Sequence, residues 1–290
     1  MNDIRITEKT IDVRKVFSDK NPALARLIPG FIYSYLKRIV HEDENNLMLF
    51  QNKDKFGTDF VSACLQKMGA KINVIGAENI PASGKQILIS NHPLGGYDGM
   101  ALMDVVGKIR KDFYSLSNDI LLVLPNLRPL FIPVNKHGSN LDHIKVLNDT
   151  FEKDNLILIF PAGLVSRKID GKIQDLEWKN TFLTRSIRNH RDIIPVFVEG
   201  KNSNWFYNLA NWRKKLGIKA NLEMFYLVDE LYKQIKKPIT IHIGKPIPYT
   251  FFDKRMSNQE WIKTIRDFVY QLNNNDERTF EQFVAEFKKD

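Results

Sequence analysis

The chain of 290 residues contains one cysteine, Cys64, which excludes an internal disulfide and a cysteine-built metal cage and fits a reducing compartment. Hydrophobic residues at 43% and charged residues at 27% exclude wholesale disorder. A formal net charge of +9 attracts polyanions such as nucleic acid, anionic lipid or an acidic carrier protein, yet the lysines and arginines are scattered rather than gathered in a basic tract.

Residues 1–70 read as a helical segment. The start has no apolar stretch between a basic end and a small-residue cleavage site, so no secretory signal is expected. In "NPALARLIPGFIYSYLKRIVHE", Leu24, Leu27, Ile28, Phe31, Ile32, Tyr35, Leu36, Ile39 and Val40 recur at helical spacing. Asn21 before Pro22 starts the first helix, and Pro29-Gly30 breaks the run in two. The stretch "GTDFVSACLQKMGAK" reads as a further helix closed by Gly69.

From residue 71 to 290 the pattern is α/β. The runs "INVIGAENI", "QILIS", "LFIPV", "LILIF", "IIPVFV" and "ITIHIG" are short, rich in β-branched residues and bounded by Pro, Gly or Asn. Continuous apolar strands of this kind are buried on both faces, which predicts a mixed, largely parallel sheet covered by helices. The longest apolar patch, "ILLVLPNLRPLFIPV", is interrupted by Pro125, Asn126, Arg128 and Pro129, so no membrane span is expected. The tail from Ser257 reads as amphipathic helix broken at an asparagine turn.

Chemistry is expected where such strands end. In "SNHPLGGYDGMAL", Asn91, His92 and Asp98 lie between the strand "QILIS" and the helix "GMALMDVVGKIR". Histidine titrates near neutrality and serves as a base, and a carboxylate within reach orients it and stabilises the imidazolium that forms. Gly95 and Gly96 let the loop turn back so that His92 and Asp98 meet. The competing reading is that Asp98 caps a helix starting at Gly99 while His92 merely packs.

A second strand end, "LILIFPAGLVSR", offers Phe160, Pro161, Gly163, Ser166 and Arg167, the last able to pair with an anion or simply to be solvated. A third, "RPLFIPVNKHG", offers Asn135 and Lys136. The sequence has no G-x-S-x-G elbow, H-E-x-x-H, P-loop or G-x-G-x-x-G, so neither serine hydrolase, zinc nor nucleotide chemistry is indicated. What remains is a base that activates a substrate's own hydroxyl or amine against a donor already activated.

These motifs resemble those of the glycerolipid acyltransferase superfamily, and "NHPLGGYDG", "LFIPVNKHG", "FPAGLVSR" and "IIPVFVEGKNS" are most similar to its hemolysin-like branch, which includes O-acyltransferases of ornithine- and glycine-type aminolipids. The resemblance implies an acyltransferase in which His92 is the general base and Asp98 its partner. The donor would be an acyl thioester, on acyl carrier protein or coenzyme A, with no cofactor. It further implies a cytoplasmic protein, peripheral on the inner face of an anionic membrane, without nucleic-acid partners.

The departures from the superfamily are informative. The spacing is His-(x5)-Asp, one residue longer than the common form, as in the branch it resembles. Where phosphatidate-forming enzymes read Phe-Pro-Glu-Gly-Thr-Arg-Ser, this chain has Ala162 for the acid and Val165 for the arginine, and a second family arginine is replaced by Val134. Loss of two guanidiniums points away from a phosphate acceptor and toward a hydroxyacyl amino acid. Arg167 is the residue left to compensate in part, which keeps a 1-acylglycerol-3-phosphate acyltransferase as the alternative; a non-catalytic membrane-binding protein is the alternative outside enzymes. The N-terminal helices have two readings, a face lying in one leaflet with Lys37 and Arg38 at the headgroups, or a helix packed on the core.

Overall fold

The computed structural model describes residues 9–117, 119–133, 141–274 and 278–287. Five helices come first: α1 (Val13–Lys20), α2 (Pro22–Leu27), α3 (Gly30–Ile39), α4 (Glu42–Gln51) and α5 (Gly57–Met68). The breaks fall where the sequence places them, at Pro29-Gly30 and at Gly69, whose left-handed φ of 67° closes α5.

The rest alternates strands and helices: β1 (Lys71–Ile75), β2 (Gln86–Ser90), α6 (Gly96–Ile109), β3 (Phe113–Ser117), β4 (Phe131–Pro133), α7 (Leu141–Glu152) and β5 (Leu156–Ile159). A hairpin of β6 (Arg167–Ile169) and β7 (Lys172–Gln174) leads to α8 (Thr181–Asn189), β8 (Asp192–Val198), α9 (Asn204–Lys215), a 3-10 turn at Leu222–Tyr226 and α10 (Leu227–Gln234). The chain then runs through β9 (Pro238–Ile243), α11 (Asn258–Gln271) and α12 (Phe280–Phe287), with a 3-10 turn at Leu272–Asn274 between the two last helices.

The main sheet has seven strands in the order β1-β9-β8-β2-β5-β3-β4. All neighbours are parallel except β8 and β9, so the expected mixed, largely parallel sheet is what forms. β2 and β5 are buried at every position, as strands covered on both faces must be. One apolar cluster, with Leu88, Leu158, Val196 and Ile241, fills one side of the sheet; a second, with Ile87, Phe182, Trp261 and Phe268, fills the other. Phe60, Val61, Cys64 and Leu65 of α5 belong to the first cluster, so the core extends across residue 70 rather than stopping there.

Helices α1–α3, α9 and the turn at Leu222–Tyr226 form a separate surface. Phe17 stacks on Phe225, Trp205 meets Tyr226 and Trp212 edge-on, and the Tyr35 and Tyr226 hydroxyls share a short hydrogen bond. Around this frame Leu27 (78% exposed), Phe31 (74%) and Leu216 (74%) project into solvent, with Trp212, Phe225 and Ile218 beside them. Exposed Arg26, Arg38, Lys214, Lys215 and Lys219 border it. Of the α3 residues, Tyr33 and Ile39 are the buried ones, while Lys37 turns back to Glu42 at 3.3 Å.

Candidate active site

The central position of β2, between β5 and β8, brings three strand ends together. The exit of β2 is stitched to β8 by Asn91, whose amide donates to the Val198 carbonyl at 2.9 Å and accepts the Val198 N–H at 2.7 Å. The turn after β5 is tied to the same loop by the Ser166 N–H, which donates to the His92 carbonyl at 2.8 Å. Asn202 adds a third tie, donating to the Pro93 carbonyl at 3.2 Å. The start of a loop that looks flexible on paper is thereby fixed at three successive residues.

His92 Nδ1 lies 2.9 Å from Asp98 Oδ1, with Asp98 fully buried and the histidine side chain 17% exposed. The approach is off the line of the ring N–H, and neither atom has another partner; dyads of this kind tighten when substrate binds. Asp98 sits in the first turn of α6, which begins at Gly96 rather than Gly99, and its other oxygen accepts the Leu94 N–H at 2.8 Å. The helix-cap reading and the dyad reading therefore merge: one carboxylate orders the loop and faces the imidazole. Gly95 makes the return possible, with φ 76° and ψ −118°, and a Cβ there would press on Leu227 at 3.2 Å.

The Phe160 ring stacks on the imidazole with centroids 4.0 Å apart. Burial on its own would lower the His92 pKa, but the Asp98 carboxylate outweighs it, Asp175 adds to that pull, and the imidazole sits above its ordinary value. The imidazole thus faces a carboxylate through Nδ1 and keeps some exposure to solvent, an arrangement able to take a proton from a hydroxyl.

The other residues singled out in the sequence divide by role. Gly96 opens α6 on the exposed side, and Gly163 turns the chain at φ 65° beneath the Lys179 amine. Pro161 is buried, its carbonyl accepting the Lys179 N–H at 3.1 Å. Asn91 and Ser166 are buried and committed to protein partners, the Ser166 hydroxyl donating to Asp175 at 2.5 Å; they build the loops instead of lining a cleft. Asn135 and Lys136 lie outside the described residues.

Arg167 requires a correction. It is 3% exposed and not at a solvent-open edge: it pairs with Glu223 at 3.0 Å, donates to the Val165 carbonyl at 2.6 Å and stacks over Phe206. Arg213 shares the same carboxylate at 2.8 Å. Its guanidinium is thus already paired inside the protein, so the solvent-open strand-end position expected of it is not what forms. Of the substituted positions, Ala162 packs in the cluster with Trp178 and Phe182 and Val165 in one with Phe206 and Tyr207, while Val134 lies outside the described residues. Glu223 and Asp175 were not marked by the sequence, because nothing in their spacing announces partners so far away in the chain.

A buried carboxylate thus lies behind a part-exposed histidine at the carboxyl edge of the sheet. The acyltransferase family model matches residues 15–278, and the chain belongs to that family. It is 48% identical over 264 residues to the lyso-glycine lipid O-acyltransferase of Phocaeicola vulgatus, covering 90% of this chain and 95% of that protein. It is 47% identical to the lyso-glycine lipid O-acyltransferase of Bacteroides thetaiotaomicron, again over 90% of this chain and 97% of that protein. A crystal structure of the 1-acyl-sn-glycerophosphate acyltransferase of Thermotoga maritima aligns with 86% of this chain and 95% of that one, at 14% identity and a TM-score of 0.43.

Proposed function

We propose that this acyltransferase moves a fatty acyl chain from a thioester to the free hydroxyl of a lyso-glycine lipid. The observation that carries the reading is a His92–Asp98 pair at 2.9 Å in a site where the packed, apolar Val165 stands at one of the superfamily's phosphate-binding arginine positions. The name shared by relatives 47% and 48% identical supports the acceptor.

In this scheme His92 takes the proton of the acceptor hydroxyl as its oxygen attacks the thioester carbonyl. The C–O bond forms, the C–S bond breaks, and the imidazolium returns the proton to the departing thiolate. Asp98 holds the imidazole and offsets its positive charge while the proton is on it. The thioester is carried by acyl carrier protein or coenzyme A; the basic chain, at +9, suits an acidic carrier. The test is turnover of lyso-glycine lipid and lysophosphatidate side by side with both donors. Turnover of the glycine lipid supports the reading, and turnover of lysophosphatidate alone overturns it.

Among the described residues no helix is long and apolar enough to cross a membrane. We propose that the surface of α2, α3 and α9 rests on an anionic bilayer at the inner face of the cytoplasmic membrane. Leu27, Phe31 and Leu216 are 78%, 74% and 74% exposed, and the basic rim matches acidic headgroups. The double variant Leu27→Ser/Phe31→Ser is expected to lower affinity for anionic vesicles by roughly tenfold or more, with an unchanged melting temperature, as followed by vesicle co-sedimentation. Unchanged partitioning would remove this surface from consideration.

A further inference from the structure

Asp175 lies outside the dyad, on the segment leaving the β6–β7 hairpin, and is 2% exposed. Its carboxylate accepts donors from three separate stretches of chain. Oδ1 takes the backbone N–H of His92 at 3.2 Å and the Ser166 hydroxyl at 2.5 Å, and Oδ2 takes the Trp178 indole N–H at 2.9 Å. The Asp175 backbone is itself pinned by α11: its N–H donates to the Tyr270 hydroxyl at 2.9 Å, and its carbonyl accepts from Arg266 at 3.0 Å.

This is an elaborate set of contacts for a hairpin exit, and one of them reaches the residue that bears the base. We propose, resting on the reading of His92 as general base, that Asp175 is a positioning residue: it fixes the His92 backbone and supplies a second negative charge that favours the imidazolium. The proton balance of the transfer is unchanged, since Asp175 neither takes nor gives a proton; the hydroxyl proton passes to His92 and on to the thiolate. The ionised form is what three donors select, because a carboxylate that only accepts satisfies all of them. Burial raises the Asp175 pKa, and the donors from Ser166, Trp178 and His92 oppose that rise. The charged groups acting on His92 are Asp98 and Asp175, which favour its protonation, and Arg167, which opposes it from its pair with Glu223.

The test is Asp175→Asn in the full chain, read by NMR titration of the labelled His92 imidazole, with His92→Ala to assign the signal. The titration midpoint is expected to fall by about 0.5–1 pH unit. In parallel kcat should drop roughly tenfold, with the acceptor KM within about twofold. Trp178→Phe keeps the ionised carboxylate and removes a donor that offsets its charge; it is expected to raise the same midpoint by a smaller step, and serves if the Asn variant does not fold. A merely structural tether predicts lower melting temperatures with the His92 midpoint in place, and that result overturns the proposal. The titration needs no acceptor, so a wrong assignment of the lipid shows instead in wild-type turnover and leaves this test intact.

Discussion

Replacing His92 by alanine is expected to lower kcat by about 10²- to 10⁴-fold, the usual worth of a positioned general base. The substitution should leave the fold intact, because the imidazole is part-exposed and, among the described residues, its one close polar contact is Asp98. Thiol release from the acyl donor, followed at saturating acceptor, is the measurement, with the melting temperature as control. The wild-type pH profile carries the same information. Because the His92 pKa is raised, the unprotonated base is lost as pH falls through a value above the ordinary histidine value of about 6.5, so the acid limb should lie on the neutral side of that figure. A His92→Ala enzyme within about tenfold of wild type would assign the base elsewhere.

The second large effect is on stability. Glu223→Gln leaves two buried guanidiniums, Arg167 and Arg213, facing an uncharged amide. Breaking a buried pair by neutralising one partner costs about 3–5 kcal/mol, since the orphaned charge cannot regain water. For a chain of this size each kcal/mol shifts the midpoint by about 2–4 °C, so thermal unfolding should start roughly 10 °C lower. The effect should extend to the site, because Arg167 also donates to Val165 in the turn that holds the His92 carbonyl through Ser166. A melting temperature within about 2 °C of wild type would mean that the carboxylate is not what balances these arginines.

Legibility in the sequence tracked the range of the interaction involved. β2, β5 and β8 stood out because a strand buried on both faces must be apolar throughout, a demand met by adjacent residues. β3 did not, since "FYSLS" interleaves serines with apolar residues and only its sheet neighbours make it a strand. The His92–Asp98 pair was readable because both residues sit on one short loop. The burial of Arg167 was not legible because its partner lies 56 residues on, and Asp175 was passed over because it serves a backbone N–H 83 residues away. Local pattern reveals which groups are available; it does not reveal which of them the fold has already engaged.

The bonds between Asn91 and Val198 span 107 residues, and this has a bearing on biosynthesis. On the ribosome His92 and Asp98 emerge long before β8 arrives to fasten their loop. At ordinary elongation rates that interval is roughly 5–20 s, during which the apolar edge of β2 waits for its second neighbour. The nascent chain is therefore most prone to aggregate between the appearance of β5 and that of β8, and slower elongation over that stretch, which lengthens the wait, should lower the soluble yield. The loop that carries His92 and Asp98 is thus not fastened until most of the protein has been made.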